Sequence, residues 1–145
     1  VKPVFDTNVF LEHRHKITES DLKKMALSVI VLYELTATTI DKSDLKRYET
    51  WRKQFDRDGL LLVPTTEDWW EVAKAVSRIR HGEKSASHGK TPPDPQAQRL
   101  QNDALIARTA QMNDCFVVTA NLKDFSRLRP YMKFKVVSAK EYFDL

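Results

Sequence analysis

Short apolar runs alternate with stretches of helical periodicity along this chain. Val4-Phe5 ends the first run, and Asp6-Thr7-Asn8 behind it supplies the turn and cap chemistry for a helix from about Val9. Met25-Ala26-Leu27-Ser28 predicts a second strand, after which Ser28 can cap a helix running through Glu34 to about Thr39. The β-branched Val29-Ile30-Val31 leaves a longer strand open as the alternative. Over residues 43–58, Leu45, Tyr48, Trp51, Arg52 and Phe55 recur at helical spacing, and Gly59 is placed to end that helix. Residues 60–63 are uniformly apolar, as in a strand buried on both faces of a parallel sheet. Pro64 and Thr65-Thr66 break that run and open a helix with an apolar stripe of Trp69, Val72, Ala73, Val76 and Ile79.

Residues 80–96 turn polar, with Gly82, Gly89, Pro92, Pro93 and Pro95, which predicts a long loop. Residues 98–112 form the next predicted helix, burying Leu100, Ala104, Ile106 and Ala107. Asn113-Asp114 turns into a strand over 116–119, and a strand over 134–137 and a helix over 139–143 complete the pattern. Such alternation predicts one three-layer α/β domain, residues 1–145, with a mostly parallel central sheet.

Composition agrees with a soluble globular protein: 145 residues, 41% hydrophobic and 30% charged. No apolar run approaches the roughly 18 residues that span a bilayer, so no membrane association is expected. The opening residues carry no signal-peptide pattern. Cys115 is the only cysteine, which excludes an internal disulfide and makes the reducing cytoplasm the expected compartment. Between Asp114 and Phe116-Val117-Val118 it reads as a small buried hydrophobe, not a nucleophile. A net charge of +4 leans weakly toward an anionic partner.

Four carboxylates change the picture, because each lies beside a short apolar run: Asp6, Glu34, Asp103 and Asp124. In open parallel sheets, sites form beyond the carboxyl ends of the strands. Asp6 follows the first strand, Glu34 lies about a turn into the helix after the second, and Asn121 and Asp124 follow the strand ending at Thr119. Asp103, near the start of its helix, reaches the same rim if that helix runs antiparallel to the sheet. For any one acid, a helix cap or a solvated side chain is the competing reading. Four together near hydrophobic sequence are costly to desolvate unless a cation holds them ionised. Hard oxygen ligands without neighbouring His or Cys suit Mg²⁺ or Mn²⁺ rather than zinc. One or two such ions can polarise a phosphate and generate hydroxide for in-line attack.

These residues carry a family resemblance. Val4-Phe5-Asp6-Thr7-Asn8, Ser28 through Glu34-Leu35, Asn102-Asp103-Ala104-Leu105-Ile106-Ala107, and Thr119-Ala120-Asn121 through Asp124-Phe125 resemble, in order and interval, the PIN-domain proteins, and most closely the VapC-type toxins of toxin–antitoxin pairs. The resemblance implies that Asp6, Glu34, Asp103 and Asp124 form the acidic metal site of a ribonuclease that uses Mg²⁺ or Mn²⁺. The metal would be held mainly by Asp6, Asp103 and Asp124, with Glu34 as a further ligand, directly or through water, or as a base. It further implies that Thr119 orients a carboxylate or a water on the metal, and that Asn8 steadies the loop bearing Asp6. At Asn121 some PIN proteins carry an acid where this chain has an amide, which leaves the number of metal ions open. A small cognate antitoxin and homodimerisation through helices are the partnerships implied, and the apolar and aromatic residues of the helices over 43–58 and 66–80 offer a surface for either, the division between core and interface staying open.

Other candidates read more plainly. His13-Arg14-His15-Lys16 matches no zinc spacing and reads as a solvated helix end. Trp51 and Trp69 fall on apolar stripes and are expected in the core, whereas Trp70 lies off the stripe and is expected to be exposed, in a groove for RNA or for a protein partner. The basic residues Arg78, Arg80, His81, Lys84, His88 and Lys90 offer an RNA contact, with Arg80, Lys84 and Lys90 as its centre; a plain surface loop is the equal alternative. No phosphate-cradling Gly-rich loop, Gly-x-Ser-x-Gly elbow or Cys/His pair is present, which excludes ATPase, hydrolase-triad and redox readings. The expected function is a metal-dependent endoribonuclease acting on single-stranded or loop RNA, the toxin of a toxin–antitoxin pair; the rival, from another class, is a catalytically weak nucleic-acid-binding regulator of the same fold acting with a partner protein.

Overall fold

The structure is a computed structural model and describes residues 1–83 and 95–144. Its strands are β1 (Lys2–Phe5), β2 (Leu27–Ser28), β3 (Leu61–Leu62), β4 (Cys115–Thr119) and β5 (Val136–Ser138). The helices are α1 (Thr7–Glu12), α2 (Glu19–Lys24), α3 (Val29–Thr38), α4 (Lys42–Arg57), α5 (Thr66–Glu83), α6 (Pro95–Met112), α7 (Leu122–Ser126) and α8 (Ala139–Tyr142). Every paired strand runs parallel to its neighbour. β1 pairs with β4, which pairs with β5, while the β2–β3 pair joins the other side of β1 through a bridge between Val4 and Ala26. The resulting order, β3-β2-β1-β4-β5, reverses its winding between β1 and β4. A crevice at such a reversal is where open α/β sheets bind ligands.

Parallel strands with helices on both faces must be apolar on both sides. Val4, Phe5, Val117 and Val118 accordingly have no exposure, and they pack with Val9, Leu105 and Ile106 in the core. Phe5 meets the rings of Phe10, Tyr142 and Phe143 at 5.4–5.9 Å, which docks α1 and α8 behind β1. Trp51 packs against Phe10 and Tyr48, as its helical position predicts. Cys115 is buried, and burial pushes its thiol above the usual range.

Local chemistry sets the element ends. The helix option for Val29-Ile30-Val31 wins because the Ser28 hydroxyl accepts from the Ile30 and Val31 N–H groups, capping α3. At the end of α4, Gly59 adopts φ +71°, its N–H bonds the Asp56 carbonyl, and the Leu60 N–H bonds the Phe55 carbonyl at 2.8 Å. A Cβ at Gly59 would meet nothing within 4 Å, so Gly59→Ala carries only the backbone cost. A loss of about 1 kcal/mol is expected from urea unfolding.

The structure departs from the sequence reading in several places. The strand predicted over 60–63 is only Leu61–Leu62, paired on one side, and Val63 is exposed. On α5 the buried stripe is Val72, Ala75 and Ile79, with Ala73 outside it and Trp69 46% exposed, so the expected core placement of Trp69 is wrong. Asp68 takes the inward place instead. Its carboxylate accepts from the Thr65 N–H at 2.9 Å while its own N–H bonds the Thr65 hydroxyl, and Arg108 Nε on α6 reaches Oδ1 at 2.8 Å. The loop predicted from residue 80 is still α5 through Glu83. Helix α2 was not foreseen, although Thr18 and Asp21 form a reciprocal capping box. Trp70 is 65% exposed, as expected.

Candidate metal centre

Asp6 is the first residue past β1 and the N-cap of α1. Its N–H bonds the Val118 carbonyl at 2.9 Å, continuing the β1–β4 ladder, and its carbonyl accepts from the Val9 N–H. The side chain is thereby aimed across the reversal in strand order. Oδ1 accepts from the Thr7 N–H at 2.8 Å, and Oδ2 accepts from the Thr119 hydroxyl at 2.9 Å. Thr119 is fully buried at the end of β4 and also accepts from the Asn121 N–H at 3.0 Å.

Glu34 enters from α3. The Thr7 hydroxyl donates to Oε1 at 2.7 Å, and Asn102 Nδ2 donates to Oε2 at 3.4 Å. Asp124, in the first turn of α7, accepts from Asn121 Nδ2 at 2.9 Å. The amide at position 121 therefore steadies the last acid from beside it. Asn8 braces the turn after β4: its Oδ1 accepts from the Ala120 N–H at 3.0 Å, and its Nδ2 lies 3.5 Å from the Thr119 hydroxyl.

Asp103 comes from α6 and has no hydrogen-bond donor among the described residues. Burial raises its carboxyl to about 8, helped by the negative charges of Asp6, Asp124 and Glu34, while Arg99 opposes the shift. Burial likewise raises Asp6 to about 6; the Thr119 and Thr7 bonds oppose this, and Glu34 and Asp124 add to it. The structure thus brings Asp6, Glu34, Asp103 and Asp124 within electrostatic reach of one another. Among the described residues, no three acids, histidines or cysteines stand close enough to enclose an ion as placed. The carboxylates flank a shared space without forming a closed cage.

The donor chemistry fits a hard divalent cation: the four carboxylates lie within electrostatic reach of one another, their charges repel, and Asp103 has no hydrogen-bond donor among the described residues to offset its charge. Asp6, Asp103, Asp124 and Glu34 are the residues that would hold it. Thr7, Asn102 and Arg99 are part of the arrangement but received no role from sequence reading. Asn102 was visible as the neighbour of Asp103; the reach of Thr7 to another helix was not. Of the basic residues, Arg80 is half-buried on α5, whereas Lys84 and Lys90 lie outside the described residues. His13 stacks against Phe143, and His15 is exposed on the short 3₁₀ turn Arg14–Lys16, a placement of the solvated-end kind.

Solved structures share this fold. VapBC-1 from nontypeable Haemophilus influenzae aligns with a TM-score of 0.60 at 16% identity, covering 95% of this chain and 98% of that one. DNA-bound VapBC from Salmonella typhimurium aligns with a TM-score of 0.53 at 24% identity, again covering 95% and 98%. VapBC2 from Rickettsia felis, bound to a promoter DNA fragment, gives 0.53 at 19% identity with the same coverage. No curated protein matches the sequence. The family model of the PIN domain matches residues 4–129, nearly the whole α/β frame and all four acids. The chain belongs to the PIN-domain family.

Proposed function

We propose that this protein is a metal-dependent endoribonuclease, the toxin of a toxin–antitoxin pair, that cleaves RNA phosphodiester bonds with Mg²⁺ or Mn²⁺. The observation that supports the reading is the grouping of Asp6, Glu34, Asp103 and Asp124 at the β1/β4 reversal, where burial first, and the negative charge of the neighbouring acids after it, raise Asp6 and Asp103. A bound cation would polarise the scissile phosphate and activate water there. The chain's own residues prepare that chemistry. Thr119 and the Thr7 N–H orient Asp6, Asn121 orients Asp124, and Asn8 braces the turn between them.

A cognate antitoxin fits the family and its VapBC neighbours, which are toxin–antitoxin complexes. A groove of about 190 Å³, with Leu11, Tyr48 and Trp51 beside the charged Arg14, Asp44 and Arg47 in its lining, supports a protein contact of mixed apolar and charged character, and Leu11 in its wall is 63% exposed. Exposed Trp69 and Trp70 on α5 support a second contact of the homodimer kind. No helix among the described residues is long and apolar enough to cross a membrane.

The test is hydrolysis of a structured RNA with added Mn²⁺, beside EDTA and a DNA strand of the same sequence. Cleavage of RNA in Mn²⁺ alone is expected. Intact RNA in Mn²⁺ removes the nuclease, and nucleic-acid binding without cleavage leaves the regulator reading.

A further inference from the structure

Thr7 stands between two of the acids and bonds both. It occupies the first position of α1, where a backbone N–H has no partner within the helix. That N–H is given to Asp6 Oδ1 at 2.8 Å. A threonine deeper in a helix turns its hydroxyl back onto the preceding turn, as Thr38 and Thr109 do here. At the first position no helical carbonyl precedes it, so the hydroxyl is free to reach α3, and it donates to Glu34 Oε1 at 2.7 Å. Glu34 lies 27 residues away in sequence, and its other oxygen holds Asn102 only at 3.4 Å. Thr7 is therefore its shorter anchor.

We propose that Thr7 is a positioning residue of the acidic site, locking Glu34 to the Asp6 cap so that two mutually repelling carboxylates hold one fixed spacing. The inference rests on the metal-centre reading above and deepens it. Without the hydroxyl, Glu34 is free to swing from Asp6, since like charges on adjacent helices repel. A cation would then have to order Glu34 as it binds, and affinity falls; loss of such an orienting partner typically costs about 10-fold or more.

The experiment uses Thr7→Val, which keeps the shape and the N–H bond to Asp6, and Thr7→Ser, which keeps the hydroxyl. Mn²⁺ binding is measured by calorimetry, RNA cleavage as kcat and KM, and thermal stability in EDTA as a cycle with Glu34→Ala. Thr7→Val should weaken Mn²⁺ binding about 10-fold and lower kcat while leaving KM for RNA unchanged. Thr7→Ser should restore both. In EDTA, the Thr7→Val and Glu34→Ala effects should be non-additive. Additive effects in EDTA, or wild-type Mn²⁺ affinity in Thr7→Val, overturn the proposal. A wild type that binds Mn²⁺ but spares RNA removes the nuclease alone, and the affinity comparison still decides Thr7. A wild type that binds no Mn²⁺ overturns both.

Discussion

Asp6→Asn and Asp103→Asn are each expected to lower Mn²⁺-dependent RNA cleavage roughly 100- to 1,000-fold while stabilising the cation-free protein at pH 8. Both effects have one origin. Desolvation by burial, with neighbouring negative charge, raises Asp103 to about 8 and Asp6 to about 6. The unfolded chain releases these protons near pH 4, so between pH 4 and 8 the folded state binds more protons. Stability in EDTA therefore falls as pH rises through that window. Each Asn variant lacks its share of this slope and should melt higher than wild type at pH 8, by roughly 5 °C. Mn²⁺ should reverse the order, because it stabilises only the protein that binds it. Initial rates on RNA, with melting curves at pH 5 and 8 in EDTA and in Mn²⁺, check both parts. Equal cleavage by wild type and Asp6→Asn would remove the acidic mechanism.

Arg108→Ala should destabilise the fold by about 3 kcal/mol in urea unfolding, the largest single loss expected away from the site. The Asp68 and Arg108 side chains are 6% and 16% exposed, and their 2.8 Å bond ties α5 to α6. Removing the guanidinium leaves Asp68 buried with only Thr65 to satisfy it. The pH dependence has the opposite sign to that of the site. Burial works against ionised Asp68, but the Arg108 and Thr65 bonds outweigh it and hold the carboxyl below its usual range. The pair's contribution is present above about pH 4 and is lost as pH falls through the lower folded value. An Arg108→Ala protein with wild-type stability at pH 7 would show that the pair is energetically idle.

Where the sequence was legible, the signal was local. The run Val4-Phe5-Asp6 reveals both β1 and the acid at its end, because a buried strand and a capping carboxylate each leave their mark in a few residues. Ser28 and Gly59 likewise announce the start of α3 and the end of α4. Trp69 was misplaced because periodicity cannot see a partner 40 residues away: Arg108 draws Asp68 inward, and that rotates the tryptophan out. The extent of α5 was missed because polar composition resembles a loop even where a helix continues. At the site, the identities of the acids were readable, but the threonine bond linking α1 to α3 depends on tertiary placement.

The central strand has a consequence in time as well as space. β1 is made first, yet its neighbour β4 lies more than a hundred residues later, and the Thr119 bond to Asp6 spans 113 positions. A chain still emerging from the ribosome carries Asp6 and Glu34 without their later companions. The acidic pocket comes into being only after β4 and α7 have been made and β4 has paired with β1, a slow and non-local step. Whatever chemistry the assembled acids perform therefore starts only once translation has passed Asp124.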